Sequence, residues 1–271
     1  MGCKQSALDH EVQPSTFKPL VTVSGSFNNS FFTDDKGKFW KKNVETTPDL
    51  SLGVEIHNSK IMTLPNSHYL LQPLKIIRDC PLSIFINMEF AGPDLFEYMR
   101  QPFQWTLMQR HLQHIRSAIY FLHSHGIAHR DIKPENIIFH NGLPKFIDFD
   151  FATSLEEFRY CGTENYIIDD KVVNRWTCLD SIKSKRMDVY AFGKVVLSIF
   201  LAAVQFKKIK HKQFILNAFF NEKFLTNPYS DSWGQWAHLA LTCCKCPPPP
   251  QIPMLLTIHD KNTNTDCTYD T

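Results

Sequence analysis

The sequence predicts an α+β chain of two unequal lobes, and three observations predict it. Short strand-type apolar runs dominate residues 18–91, runs with helical spacing dominate 92–257, and the 271 residues are 43% apolar and 21% charged, as a packed core needs. In the smaller lobe the strand runs are Leu20–Val23, Phe31–Phe32, Lys38–Val44, Leu70–Ile77 and Leu82–Phe90, with one helical stretch near Leu50–Thr63. A hinge follows over Glu89–Gly92. In the larger lobe Trp105–His125 is a long amphipathic helix and Lys185–Phe206 a second strong one. Between them Asn136–Phe139 and Pro144–Ile147 flank His140-Asn141-Gly142, the spacing of a hairpin. Residues 1–17 read as a polar tether and 258–271 as a polar tail, and the proline run Pro247–Pro250 lies near the end of the core.

Composition excludes several classes of function. Lys and Arg number 29 against 27 Asp and Glu, a net charge of +2, which argues for no nucleic-acid partner. The eight cysteines are spread along a chain long enough to bury a core, so they are expected to be reduced thiols in a cytoplasmic setting. Cys243-Cys244-Lys245-Cys246 has no second Cys/His pair at finger spacing and reads as structural. The run Val189–Phe206 is nearly long enough for a bilayer, but Asp188 opens it and Lys194 interrupts it, so it reads as a buried helix. The basic stretch Lys207–Lys212 reads as a solvated loop.

The first six residues, Met-Gly-Cys-Lys-Gln-Ser, fit an N-myristoylation pattern with Gly2 as acceptor and Ser6 at the hydroxyl position. Cys3 is then a candidate for palmitoylation. One myristoyl chain binds a membrane marginally and a second makes the anchor stable. The expectation is a cytoplasmic protein held at the cytoplasmic face of a membrane.

The sharpest chemical signal is His129-Arg130-Asp131-Ile132-Lys133-Pro134-Glu135-Asn136, with Asp148-Phe149-Asp150 just beyond the hairpin. It matches the phosphoryl-transfer pattern H-R-D-x-K-x-x-N followed by a metal-binding aspartate. Asp131 orients an attacking hydroxyl and accepts its proton. Asn136 and Asp148 supply oxygen ligands to the Mg²⁺ or Mn²⁺ ions that bridge ATP phosphates, and Lys133 offsets charge on the transferring group.

These residues resemble the eukaryotic protein kinase superfamily, and Lys133-Pro134-Glu135-Asn136 resembles its serine/threonine branch. The resemblance covers roughly 18–257 and is strong from about 85 to 205. It implies a bilobal kinase-like fold with an N-lobe over 18–91 and a C-lobe over 92–257, ATP as phosphoryl donor, and protein substrates with Ser or Thr acceptors. Gly162-Thr163-Glu164-Asn165-Tyr166 resembles the substrate-facing G-T-x-x-Y segment, which implies Thr163 beside Asp131 and Lys133. Asp188 in Asp188-Val189-Tyr190-Ala191-Phe192-Gly193 resembles the aspartate that braces the backbone at His129 and Arg130. Met88-Glu89-Phe90-Ala91 resembles the gatekeeper and hinge. The resemblance implies adenine contacts from Met88, Glu89, Ala91 and Ile138, and places Asp94 near ribose and substrate. Asp94 and Glu135 imply a preference for basic residues upstream of the acceptor.

The smaller lobe departs further from the pattern. Gly25-Ser26-Phe27 resembles the middle of a glycine-rich phosphate loop, but Val23 and Asn28 stand at its flanking glycine positions, where side chains hinder close approach. Phe39-Trp40-Lys41-Lys42 resembles V-A-I-K, with Lys41 or Lys42 as the strand lysine. Lys41 is favoured, with Glu55 as its ion-pair partner and Phe39 crowding the adenine. D-F-G is D-F-D here, A-P-E is Ile168-Asp169-Asp170, and no arginine near 247–250 stands ready for Asp170. Glu156 and Glu157 are expected to pair with Arg130 where a phosphate otherwise sits. The trimmed lobe and the short activation segment between Asp148 and Asp170 resemble kinases encoded by large DNA viruses. Function is therefore read as a membrane-anchored Ser/Thr kinase. The alternative is a pseudokinase scaffold or nucleotide-binding module, favoured by Val23, Asn28, Phe39 and Asp150. A small-molecule kinase fits worse, because Lys133 and Thr163 argue against it.

Overall fold

The computed structural model describes residues 18–19, 29–33, 39–44, 61, 63–65, 68–80, 83–88, 92–205 and 232–255. The strands β1 (Lys18–Pro19), β2 (Asn29–Thr33), β3 (Phe39–Val44), β4 (Pro73–Cys80) and β5 (Ser83–Met88) form one antiparallel sheet in the order β1-β2-β3-β5-β4. In β3, Phe39 is paired with Met88 and Lys41 with Ile86, whereas Trp40 is paired with Asn87 and Lys42 with Phe85. Because alternate residues of a strand share a face, Lys41 falls on the face of Met88 and Lys42 on the face of Asn87.

Several boundaries differ from the sequence reading. The run Leu70–Ile77 starts as a strand only at Pro73 and continues to Cys80. Leu70 and Leu71 join a different partner: the Leu71 amide donates to the Phe146 carbonyl at 3.1 Å, and the Phe146 amide to the Tyr69 carbonyl at 2.9 Å. Gln72 and Pro73 interrupt the run, and it is there that one pairing ends and the next begins. The candidate strand Leu20–Val23, the helical stretch over 50–60, Gly25, Ser26, Phe27, Glu55, Glu89, Ala91, Gly2 and Cys3 lie outside the described residues.

The larger lobe begins with α1 (Leu95–Met99), a short helix that the sequence reading did not separate. The Asp94 side chain caps it by accepting from the Glu97 amide at 2.7 Å. Helix α2 (Trp105–Ser124) buries Met108, Leu112, Ile115, Ile119 and Leu122 at helical spacing. It ends at His125 with Gly126 at φ +73°, the left-handed position that stops a helix without strain. Next come β6 (Ile127–Ala128), β7 (Ile137–His140) and β8 (Leu143–Phe146). Asn141 and Gly142 both have positive φ, as a two-residue turn between twisted strands requires. The strand β9 (Thr153–Ser154) pairs with β6. Helix α3 (Asp170–Val173) is capped by Asp169, and α4 (Asp180–Gln205) and α5 (Ser232–Cys243) complete the lobe.

Helix α4 starts five residues before the expected Lys185, because its first turn is polar and has no apolar periodicity, and Phe206 lies outside the described residues. Val189, Phe192, Val195, Val196, Ile199 and Phe200 of α4 are buried in the core with Trp236, Leu239 and Ala240 of α5. Each Val, Leu, Ile and Phe among them contributes roughly 1.5–3 kcal/mol when taken from water. Among the described residues no helix is long and apolar enough to cross a membrane. Cys243 and Cys244 are buried thiols in this core, and no cluster of three or more His, Cys, Asp or Glu side chains among the described residues is placed to hold a metal.

Candidate active site

The site is built around the β7–β8 hairpin. Its β7 edge meets the chain leaving the hinge, with the Gly92 amide donating to the Phe139 carbonyl at 2.6 Å and the Phe139 amide to the Pro93 carbonyl at 3.0 Å. Its β8 edge meets residues 69–71. Asn136 leads into this hairpin and Asp148 follows it, and the Ile147 amide donates to the Asn136 carbonyl at 3.0 Å. The two candidate metal ligands are thereby brought from twelve residues apart in sequence to opposite sides of one closed ladder. Ile138 of β7 forms a bridge with Asp94.

Asp131 is 4% exposed and collects three donors. Thr163 Oγ1 donates to its Oδ1 at 2.7 Å, while Asn136 Nδ2 at 2.9 Å and Lys133 Nζ at 2.8 Å reach its Oδ2. Lys133 Nζ also donates to Thr163 Oγ1 at 2.9 Å, so Asp131, Lys133 and Thr163 close a triangle across 32 residues of chain. Asn136 Nδ2 further donates to the Asp131 carbonyl at 2.8 Å. With its amide nitrogen directed at Asp131, Asn136 offers its amide oxygen as a ligand.

The loop is held from below by α4. Asp188 is 1% exposed; its Oδ2 accepts from the His129 amide at 2.9 Å and from His123 Nε2 at 2.9 Å, and its Oδ1 accepts from the Arg130 amide at 2.8 Å. Burial alone raises the Asp188 carboxyl, but the hydrogen bond and charge of His123 and the Arg130 amide outweigh it and hold it below the usual carboxylate range. The brace is needed because Arg130 has φ +68°, a left-handed conformation costly for a residue with a Cβ. Asp148 has φ +62° and is half-buried.

His129 is fully buried between the rings of Phe146 and Phe149, each with its centroid 4.9 Å away. Burial lowers its pKa against the pull of Asp188, Asp131 and Asp148, so the ring is neutral. Its Nε2 lies 3.3 Å from the Ile147 carbonyl, and its Nδ1 accepts from the Asp131 amide at 3.3 Å. The carbonyl demands a proton on Nε2 and the amide demands a lone pair on Nδ1, which fixes the tautomer.

One expectation is corrected. Glu156 and Glu157 do not meet Arg130: Glu157 Oε2 accepts from Thr153 Oγ1 at 3.3 Å. The Arg130 guanidinium turns to Cys161, with Nε 3.0 Å from Sγ and Nη2 directed at the same sulfur. Asp170, expected to lack an arginine partner, accepts at 3.0 Å from Nδ2 of Asn174, the residue that caps the end of its own helix. Sequence reasoning also missed His123. Its only signal was position, as a polar residue one turn beyond Ile119 on the buried stripe of α2. Asp94 is taken up in capping α1. Burial raises its carboxyl, opposed by the Glu97 amide and reinforced by the charges of Glu97 and Glu135. Glu135 Oε2 is buried without a hydrogen-bond partner among the described residues.

The donor set fits a hard divalent cation. One amide oxygen and one carboxylate are too few to cage an ion alone and suit Mg²⁺ or Mn²⁺, which complete their shells with phosphate oxygens and water.

Comparison with known proteins supplies the family. Residues 37–256 match the protein kinase domain, and the chain belongs to that family. A Caenorhabditis briggsae protein described as a cAMP-dependent protein kinase, catalytic subunit-like, is 26% identical over 171 residues, 61% of this chain and 43% of that one. The human cAMP-dependent protein kinase catalytic subunit PRKX is 31% identical over 171 residues, 59% of this chain and 48% of the relative. The SNF1-like protein kinase ssp2 of Schizosaccharomyces pombe is 29% identical over 157 residues, 52% of this chain and 27% of its own. The chain spans less than half the length of these curated relatives.

Proposed function

We propose that this chain is an active serine/threonine protein kinase that transfers the ATP γ-phosphoryl group to protein hydroxyls. The observation that carries this reading is the Asp131 carboxylate, oriented by Thr163, Lys133 and Asn136 at hydrogen-bond distance. The Thr163 hydroxyl donates to Oδ1, and that carboxylate oxygen keeps a further lone pair for an O–H donor. A substrate Ser or Thr hydroxyl takes the same kind of contact, and Asp131 receives its proton as the oxygen attacks phosphorus. The Lys133 ammonium balances charge beside the transferring group. Held by Asn136 and Asp148, a bound Mg²⁺ or Mn²⁺ supplies neutralisation of phosphate charge.

Lys41 is taken as the phosphate-binding lysine, since its register shares a face with Phe39 and Met88 while that of Lys42 does not. Glu55 is its proposed partner. Gly25, Ser26 and Phe27 are assigned to the phosphate loop, and Met88, Glu89, Ala91 and Ile138 to the adenine. The orphan Glu135 oxygen beside Asp94 supports a preference for peptides with Arg or Lys upstream of the acceptor. Replacing that Arg by Ala should raise KM, and indifference would remove the preference. Gly2 and Cys3 are proposed as acylation sites that place the enzyme at the cytoplasmic face of a membrane. Gly2→Ala should move the protein to the soluble fraction.

The test is transfer of labelled γ-phosphate to a mixed basic protein, with Mg²⁺ and then Mn²⁺, for wild type, Asp131→Asn and Lys41→Met. Transfer to Ser/Thr that both substitutions abolish is the expected result. No transfer by the wild type, with ATP still shifting the melting temperature, would favour the pseudokinase scaffold. That alternative draws on Val23, Asn28, Phe39 and Asp150.

A further inference from the structure

We infer that Cys161 is a positioning residue: its sulfur holds the Arg130 guanidinium and so fixes the activation segment on the catalytic loop without an added phosphate. The inference rests on the kinase reading for its catalytic consequence, though not for the contact itself.

Three consecutive residues make the join. Cys161 Sγ accepts from Arg130 Nε at 3.0 Å and also from Nη2. Gly162, at φ +127°, brings the backbone so close that a Cβ there would lie 2.7 Å from the Arg130 carbonyl oxygen. Thr163 donates to Asp131 and accepts from Lys133. Residues 161–163 therefore touch 130, 131 and 133 in turn, and the first contact sets up the next two.

The chemistry of the pair is specific. A guanidinium is a rigid planar fork, and two of its N–H groups converge on one polarisable atom. Burial raises the Cys161 thiol, and the charge and hydrogen bond of Arg130 offset that only in part. Arg130 enters this contact from a left-handed backbone pinned by Asp188. Its side chain thus leaves a fixed stem, and the sulfur determines where the segment lies. Neighbouring ties do not reach the catalytic loop: Tyr160 donates to the Ile168 carbonyl at 2.9 Å, and Ser184 reaches the Glu157 carbonyl at 3.5 Å. The expected acidic partners of Arg130 stand elsewhere, so no other described side chain takes up this fork.

The test is a cycle of Cys161→Ala and Cys161→Asp, each with and without Arg130→Ala, read by amide hydrogen exchange over residues 160–165 and by steady-state kinetics. Cys161→Ala should speed exchange about tenfold, and Cys161→Asp, which restores an acceptor, should return it to the wild-type rate. With Arg130→Ala the position-161 variants should exchange alike. In kinetics, kcat should follow the same order with KM for ATP unchanged, and phosphatase treatment should leave wild-type transfer unaltered. Exchange indifferent to Cys161, or an equal change in the Arg130→Ala background, would overturn the anchor. A kcat that ignores Cys161, or is lost on phosphatase treatment, would overturn its catalytic role. A wild type that transfers nothing while exchange follows the cycle would refute the kinase reading and leave the anchor standing.

Discussion

At two places in this molecule a glycine lets backbone segments touch beside cysteine, and the surroundings of the sulfur differ. At Gly162 the neighbouring Cys161 faces a guanidinium, and the contact joins two loops that carry site residues. At Gly193 of α4, an added Cβ would lie 2.8 Å from Ala240 O, Cys243 Cβ and Cys244 Sγ of the segment packed against it. There the sulfurs are ordinary core volume, and burial pushes the Cys243 thiol far up, with Cys244 adding to it. The same pair of residue types therefore serves orientation in one region and packing density in the other. The difference teaches that a close approach is functional or structural according to what lies across it.

The comparison breaks most visibly at the brace beneath the first contact. Asp188→Asn removes the charge that His123 and the two loop amides share, and transfer should fall about 10²-fold or more as Arg130 loses its left-handed hold. The check is kcat beside a melting curve. If kcat is unchanged, the brace is dispensable.

Alanine at the two glycines should separate the regions. Gly193→Ala should cost about 1–3 kcal/mol of stability by overpacking α4 against α5, with kcat per folded molecule retained. Gly162→Ala should lower kcat more than it lowers stability, since the strained position lies at the Arg130 carbonyl. A common response in melting temperature and kcat would erase the distinction.

A pH series sharpens the account of the buried rings. Burial lowers His111, His114 and His129, and His114 is lowered to about 4 by burial with His68, His111 and Lys145 adding to it. The unfolded chain takes up protons near pH 6.5 that the native rings refuse, so stability is greatest above that pH. It should decline from about 6.5 toward 4, followed by urea midpoints. His114→Gln should flatten that slope, and an unchanged slope would contradict it. Asp188 works lower: its held-down carboxyl favours the native state above the usual carboxylate range, and that share is lost as pH falls through its native value. The smallest effect is chemical. Native alkylation should label exposed Cys246 and spare buried Cys243 and Cys244 until unfolding.

Much of the catalytic half was legible because its residues are contiguous. His129 to Asn136 is one loop, and the Asn141-Gly142 turn is local chemistry, so both read directly from the chain. Thr163 and Asp188 were legible through resemblance to a family, and the structure places both against the loop. The Arg130–Cys161 contact was not legible. It joins residues 31 apart, and a glutamate is the commoner partner for arginine than a thiol. The start of α4 was hidden because its first turn is mostly polar, and the start of β4 was misplaced because Leu70 and Leu71 pair with a strand far along the chain, a partner that local pattern does not reveal. Asp94 was singled out as a ligand-side residue, and its capping of α1 was invisible because that helix is only five residues long.

The central claim is that Asp131 accepts the proton of an attacking hydroxyl. Single-turnover transfer of labelled γ-phosphate to a serine peptide, by wild type and Asp131→Asn at matched ATP occupancy, tests it most directly. The account predicts a fall of about 10²–10⁴-fold with the ATP-induced melting shift unchanged. Equal rates from the two proteins would contradict it.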